Sequence, residues 1–318
     1  METLIEILKA VVFGFVEGIT EWLPISSTGH LILLGNFISF DLPGDAASKA
    51  SFMELYDVVI QLGAILAVVV IFIKEIWPFG IENPDKEVKR KVGDLEDHYW
   101  RILGSPLVIR KDIFMLWVKI ALACIPGLAY GLLLDDLIET VTAPVMTIIV
   151  AVMLIVVGIV FVVVEIIKGK EKPAVRDIKD ITIPAVLIIG LAQVIAGALP
   201  GTSRSGATII AGLLLGLSRT VAAEFTFYLA IPTMFGASLL KMLKYLSEGM
   251  SLGFREIAVL CVSSAVAFIV SMVSIRFLMG YVKKHDFKVF AWYRIVLGVL
   301  VLALVIMGFM GAGTAPVM

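Results

Sequence analysis

Residues 143–164 run for 22 positions without a charged side chain, which exceeds the roughly 20 apolar residues a helix needs to cross the hydrocarbon core of a bilayer. In lipid every backbone N–H and C=O has to be satisfied within the protein, so a spanning segment is either a helix or part of a closed barrel. A continuous apolar run of this length means helix. Five further runs obey the same rule: 52–73, 113–134, 221–240, 256–280 and 289–311. With 60% hydrophobic residues, 17% charged residues and a mean hydropathy of +1.02, the chain stands apart from a soluble domain, which averages about 25% charged. We expect an all-α integral membrane protein with six full transmembrane helices. The net charge of −1 offers no basic surface and excludes a nucleic-acid partner. Cys124 and Cys261 each lie inside an apolar run, which predicts packed thiols with no disulfide framework or metal spacing. The N-terminus lacks a basic start and is broken by Glu6, Lys9, Glu17 and Glu21, unlike a cleaved signal peptide.

Two stretches do not fit the six spans. In 1–40, an apolar run at 4–16 is too short to cross, and E-G-I-T-E-W-L-P-I-S-S-T-G-H follows at 17–30. Pro24 disfavours helix at Leu23, and Ser26, Ser27 and Thr28 stand where a new helix would be capped. The predicted form is a re-entrant helix-break-helix hairpin. The pattern returns at 181–217, where P-G-T-S-R-S-G occupies 200–206. A shift of 176 positions lays Glu17 on Gln193, Leu23 on Leu199, Pro24 on Pro200, Ser27 on Ser203 and Thr28 on Arg204, and a weaker echo, at a shift of 173, pairs Gly63-Ala64 with Gly236-Ala237. The chain therefore divides into a first repeat, 1–167, a charged linker, 168–180, and a second repeat, 181–318. Each repeat holds one hairpin and three spans, and the odd number of spans inverts the second repeat.

Charge orients this arrangement. With the N-terminus outside, seventeen lysines and arginines fall in the hydrophilic loop 74–111, in 168–180, at Arg219 and in 281–288. Five fall outside, at Lys9, Lys49, Lys241, Lys244 and Arg255. That asymmetry follows the positive-inside rule with both termini outside. Asp135, Asp136 and Glu139 mark a short acidic turn.

Ionisable groups at membrane depth cost roughly 2.5–3.5 kcal/mol each on insertion scales and are functional candidates by default. Glu17, Glu21, His30 and Arg204 qualify. The plainer alternative is a structural ion pair between Glu17 and Arg204, which leaves the surrounding hydroxyls unexplained. Two breaks entering from opposite faces aim helix N-termini at a shared space, and helix N-termini bind anions, phosphate above all. Gly201 and Gly206 permit close backbone approach, the hydroxyls of 200–206 donate, and Arg204 can grip a phosphate with two parallel bonds. Glu17 and Glu21 share a helix face and would hold either a proton or a divalent cation, Mg²⁺ or Ca²⁺. His30 follows Ser27 by three residues, close enough to share a proton, and a hydroxyl beside a base is the minimum for nucleophilic catalysis. Spacing does not decide between Ser27, Ser26 and His30 as nucleophile. His98 and His285 are read as solvated loop residues. Glu54 and Glu224 are read as interfacial, Asp57 and Gln61 as lining the same vestibule, and Lys119 and Arg276 as snorkelling.

Together E-G-I-T-E-W-L-P-I-S-S-T-G-H-L and P-G-T-S-R-S-G-A-T resemble the bacterial undecaprenyl-diphosphate phosphatases, the bacitracin-resistance family. D-V-V-I-Q-L-G-A-I-L-A-V at 57–68, A-A-E-F-T-F-Y-L-A-I-P at 222–232 and the late F-A-W-Y-R are similar too. The resemblance implies interlocking re-entrant helices in an inverted repeat, in the bacterial inner membrane, with the site open to the outer face. It implies removal of the terminal phosphate of a polyprenyl diphosphate lipid, which recycles the carrier of cell-wall synthesis. It places the family's glutamate pair on Glu17 and Glu21 and its serine and histidine on Ser27 and His30. The phosphate-binding segment falls on Ser203, Arg204, Ser205 and Thr208. Ser26, Thr28, Gly201, Thr202 and Gly206 complete the expected phosphate shell, and Glu17 and Glu21 are the expected metal ligands. A second lipid-phosphatase pattern, P-S-G-H with S-R-x₅-H, is excluded, because no histidine occurs between Arg204 and His285. The rival reading is a polyprenyl-phosphate flippase or small-anion transporter, since inverted repeats with broken helices are also transporter architecture. The oligomeric state stays open, with a homodimer as one expectation.

Overall fold

The computed structural model describes residues 2–43, 45–81, 99–101, 107–133, 143–169, 171–249 and 251–309. The order begins with α1 (Glu2–Thr20), α2 (Ser27–Phe37), α3 (Ala46–Ile71) and α4 (Ile73–Ile76). Three short strands follow, β1 (Phe79–Ile81), β2 (Tyr99–Arg101) and β3 (Leu107–Arg110). Then come α5 (Lys111–Leu133), α6 (Ala143–Lys168), α7 (Ile183–Ala198) and α8 (Arg204–Leu214). The last three are α9 (Arg219–Ser247), α10 (Phe254–Val282) and α11 (Lys288–Ile306). Among the described residues, α3, α5, α6, α9, α10 and α11 are long and apolar enough to cross a membrane. The protein is all-α in its membrane part, and these six helices coincide with the six expected runs.

Their ends differ for local reasons. The span expected at 52–73 begins at Ala46, because Asp45 caps it by accepting from the Ser48 N–H at 2.8 Å. The span expected at 221–240 runs from Arg219 to Ser247, started by a Ser218 cap. The last span stops at Ile306, with Gly308 at φ +76° beyond it. The loop 74–111 carries an antiparallel sheet in the order β1-β3-β2, which averaging over its charged stretch conceals. The acidic turn at Asp135, Asp136 and Glu139 lies outside the described residues, as does His98. Cys261 is exposed on α10 and Cys124 half-buried, which corrects the expectation of two packed thiols: α10 turns that side outward.

Proline writes the breaks. Pro24 would clash with the carbonyl four residues back, at Thr20, and α1 ends there, three residues before Leu23. In the second case α7 ends at Ala198, ahead of Pro200. Each new helix is capped by a serine with positive φ, Ser26 at +73° and Ser203 at +69°. Ser26 Oγ accepts from the Gly29 N–H at 3.3 Å and Ser203 Oγ from the Gly206 N–H at 3.2 Å. The caps are 177 residues apart, whereas the prolines are 176 apart. The second break thus carries one extra residue, and its cap geometry sets Ser27 against Arg204 and Gly29 against Gly206, correcting the pairing of Ser27 with Ser203.

The long helices pack in pairs. α1 and α3 lie on α10, α5 lies on α7, α6 on α11, and α3 on α9. Close approach is most severe at Gly63, where any Cβ would meet the Ser264 backbone of α10. Serines lace the same seams: Ser264 Oγ donates to the Val59 carbonyl at 3.2 Å, Ser238 Oγ to the Val58 carbonyl at 2.7 Å, and Ser263 and Tyr56 share a 2.8 Å bond. Without a hydrophobic drive between helices in lipid, small residues and such bonds hold a bundle together. The apolar core surrounds the breaks, with Trp22 edge-on to Phe227 at 5.2 Å.

Candidate active site where the two helix breaks meet

Glu21 is the residue on which the two breaks converge. It sits in the turn after α1 and is buried. Its Oε2 accepts from Ser27 Oγ at 2.6 Å and its Oε1 from Arg204 at 2.6 Å. Its carbonyl accepts from Ser205 Oγ at 3.3 Å. One carboxylate therefore joins the hydroxyl at the start of α2 to the guanidinium at the start of α8. The ion pair expected as the plainer alternative does form across the breaks, but on Glu21 and not on Glu17.

Arg204 also donates to Thr233 Oγ1 at 3.0 Å and lies 3.1 Å from Met234 Sδ. Both follow Pro232, which lies inside α9. Thr233 Oγ1 also donates to the Leu229 and Ala230 carbonyls, one turn back on α9. The same hydroxyl thus bonds its own helix and accepts from Arg204.

Glu17, one turn back on α1, is fully buried, and neither of its oxygens has a hydrogen-bond partner among the described residues. One oxygen of Asp57 on α3 is in the same condition. A buried carboxylate without donors is costly unless it holds a proton or meets a cation. Among the described residues no group of three or more His, Cys, Asp or Glu side chains is arranged to hold a metal. Of the two glutamates, Glu17 is the one with free oxygens for a cation, because both Glu21 oxygens are taken.

His30 is not the partner of Ser27. Its Nδ1 lies 2.7 Å from the Ser26 carbonyl and its Nε2 2.7 Å from the Tyr293 hydroxyl. A carbonyl only accepts, so Nδ1 carries the hydrogen, and in the neutral ring Nε2 accepts from Tyr293. The helical spacing of three suggested a shared proton. The positive φ of Ser26 instead turns Ser27 back toward α1 and Glu21.

The remaining predicted residues divide by role. Ser203 caps α8 and shares a 3.1 Å bond with Ser205. Thr208 donates toward the Arg204 and Ser205 carbonyls and meets Thr226 Oγ1 at 2.8 Å, so its hydroxyl fixes α8 to α9. Thr202 Oγ1 is buried without a partner among the described residues, and Thr28 is exposed. Gly201 takes φ +89°, and a Cβ there would lie 2.7 Å from the Val150 backbone. Gly206 admits Arg294, whose Nη1 would be 3.2 Å from a Cβ.

Arg294 is the residue that reading the sequence missed. It is wholly buried on α11 and donates to the Pro24 carbonyl at 3.2 Å, the Gly201 carbonyl at 2.8 Å and the Thr202 carbonyl at 2.9 Å. It therefore bolts the backbone of one break to that of the other, and Tyr293 beside it holds His30. The available signal was a lone arginine inside the otherwise uncharged run 289–311. Glu54, read as interfacial, pairs with Lys241 at 3.1 Å, and Lys119 reaches the Lys179 carbonyl at 2.6 Å.

The comparisons with known proteins agree across almost the entire length. The family model described as bacitracin resistance protein BacA matches residues 10–300. A protein of Desulfitobacterium hafniense named undecaprenyl-diphosphatase is 49% identical over 304 residues, covering 94% of this chain and 96% of the relative. One of Enterococcus faecalis with the same name is 47% identical over 299 residues, 94% and 96% of the two chains. The undecaprenyl-diphosphatase 1 of Clostridium acetobutylicum is 44% identical over 298 residues, 94% and 97%.

Proposed function

This chain belongs to the bacitracin resistance protein BacA family, and from that membership we propose how its two breaks hydrolyse undecaprenyl diphosphate to the monophosphate and inorganic phosphate. The enzyme is a multi-pass membrane hydrolase that recycles the lipid carrier of cell-wall synthesis, with bacitracin resistance following by family. The observation that carries the reading is the doubly engaged Glu21 carboxylate, 2.6 Å from both Ser27 Oγ and the Arg204 guanidinium.

In our reading the terminal phosphate enters between the N-termini of α2 and α8. Free N–H groups and the positive dipole ends receive its charge there. Arg204 turns from Glu21 to the phosphate oxygens, since phosphate offers a bidentate acceptor of higher charge. Glu21 is then free to take the proton of Ser27. Ser27 Oγ bonds to phosphorus, the bridging P–O bond breaks, and polyprenyl phosphate leaves with the electron pair. Water next attacks the phosphoserine. Its proton passes to Glu21 as Ser27 recovers the first one, and phosphate departs. One water is consumed and one proton released overall. Ser203, Ser205, Thr28 and Thr202 are the hydroxyls near enough in sequence to line the phosphate, and His30, fixed by Tyr293, guards the mouth.

A divalent cation, Mg²⁺ or Ca²⁺, would bind at Glu17, whose two unpartnered oxygens suit a hard ion completed by phosphate and water. When bound it would neutralise developing phosphate charge. Glu21 would join it only after Arg204 has moved. We further place the protein in the bacterial inner membrane with both termini and the site mouth outside, on the strength of the basic-residue asymmetry. We read 1–40 and 181–217 as re-entrant hairpins of an inverted repeat. What supports this is the pairing of helices: α1 on α10 corresponds to α7 on α5, while α6 on α11 and α3 on α9 each pair an element with its own counterpart.

The test is phosphate release by purified protein in detergent, where there is no membrane to cross and a transporter would have nothing to show. Glu21→Gln and Arg204→Ala are expected to lower kcat by about 10²–10⁴, and Ser27→Ala to abolish a phosphoprotein trapped by acid quench. Near-normal turnover in the first two would overturn the assignment.

A further inference from the structure

The small sheet outside the bundle has two unlike faces. In its register Phe79 pairs with Ile109 and Ile109 with Trp100. Cross-strand partners share a face, so these three form a row across all three strands. Val108, on the opposite face, is buried. The row continues at both ends: Trp77 stacks edge-on to Phe79 at 5.6 Å, and Trp100 meets Phe114 in the first turn of α5 at 5.0 Å. Trp77, Phe79, Trp100 and Phe114 are 55%, 48%, 43% and 41% exposed. Four large apolar side chains in one strip, each more than a third exposed, call for a covering partner.

The strip has a direct neighbour that names the partner. β3 runs into α5 without a break, and Phe114 and Met115 begin the exposed side of α5 that continues through Ile125 and Leu128. That side faces lipid, so the strip is its extension past the helix end. Lys111 Nζ lies 6.0 Å from the Trp100 ring, and Lys74 and Arg110 flank the sheet, with Arg110 donating to the Lys74 carbonyl at 3.2 Å. Tryptophan rings with basic neighbours at a helix end are the composition of a membrane–water boundary. We propose that the strip Trp77–Phe79–Ile109–Trp100–Phe114 lies in the headgroup–acyl boundary of the leaflet at which α5 begins, anchoring the sheet to phospholipid.

The full-length protein is reconstituted in phosphatidylcholine–phosphatidylglycerol vesicles whose acyl chains are brominated near the headgroup or near the bilayer centre. The emission lost between the unmodified protein and Trp100→Phe reports Trp100 alone. Lipid brominated near the headgroup is expected to quench that component more than lipid brominated at the centre, and aqueous iodide to leave it. Iodide quenching without bromolipid quenching would put the face in water, ready for a soluble protein, and would overturn the proposal. So would insensitivity to both quenchers, as expected if a second copy covered it. As an independent arm, Phe79→Ser with Trp100→Ser should lose the headgroup-bromine quenching of Trp77, and unchanged quenching counts against the strip acting as a unit. Phosphate release should be unaltered in these variants.

Discussion

Glu21 gives one carboxylate oxygen to each of two partners, and that is the central fact about it. Ser27 and Arg204 come from different halves of the chain, 177 residues apart, and meet on its two oxygens. Arg294 is their counterpart in the backbone. Arg294→Lys keeps the charge but loses the planar fork that reaches three carbonyls. It is expected to raise KM more than it lowers kcat, and to cost about 1.5–3 kcal/mol for a lost charge-assisted bond. Thermal unfolding in detergent and substrate-saturation curves check both. At this scale the sequence was only partly legible. Glu17, Glu21, Ser27, His30 and Arg204 stood out as polar groups in an apolar chain, and the structure gathers Glu21, Ser27 and Arg204. Who bonds whom was not legible, because helical spacing assumes ordinary φ and Ser26 does not have it. Arg294 obeyed the very rule that singled out Arg204, yet its partners are backbone carbonyls, which no motif records.

Among the elements, the broken helices are held by glycines and serines at contact points. Gly201→Ala meets two penalties together, left-handed φ and a collision with the Val150 backbone. The φ cost alone is about 1–2 kcal/mol. The variant is expected to fold with a displaced second break, seen as a raised KM for diphosphate and a lowered melting temperature. Gly63→Ala tests packing away from the site, since the Ser264 backbone of α10 has to retreat. Here stability should fall while KM stays near its original value. The spans were legible because hydropathy over 20 residues is a strong average. The three strands at 79–110 were not, because an average that long buries a strand of three residues.

The whole molecule is joined across its halves by a further ion pair, away from the site residues. Glu165, at the end of α6, is 1% exposed at its side chain and takes Arg219 of α9 at 2.6 Å, with a second contact at 3.0 Å. It also accepts from the Phe287 N–H at 3.0 Å, at the start of α11. The linker joins in: the Ala174 and Val175 N–H groups donate to the Gly216 carbonyl and the Ser218 N–H to the Val175 carbonyl. Arg219→Gln would leave Glu165 buried with an uncompensated charge. Breaking such pairs costs about 3–5 kcal/mol when both partners are buried, and less here because Arg219 is 30% exposed. Faster limited proteolysis within 169–176, with phosphate release retained at low temperature, is the expected result. That the chain has two related halves was legible from the prolines. That they are clasped by Glu165 and Arg294 was not, since each clasp joins residues more than fifty positions apart.

Arg294 lies in the last helix, some ninety residues after the second break it secures. A chain emerging from the ribosome therefore inserts both breaks, with every reactive side chain already made, before the guanidinium that fastens them exists. Until synthesis has reached α11, the two breaks lack the three backbone bonds that Arg294 supplies.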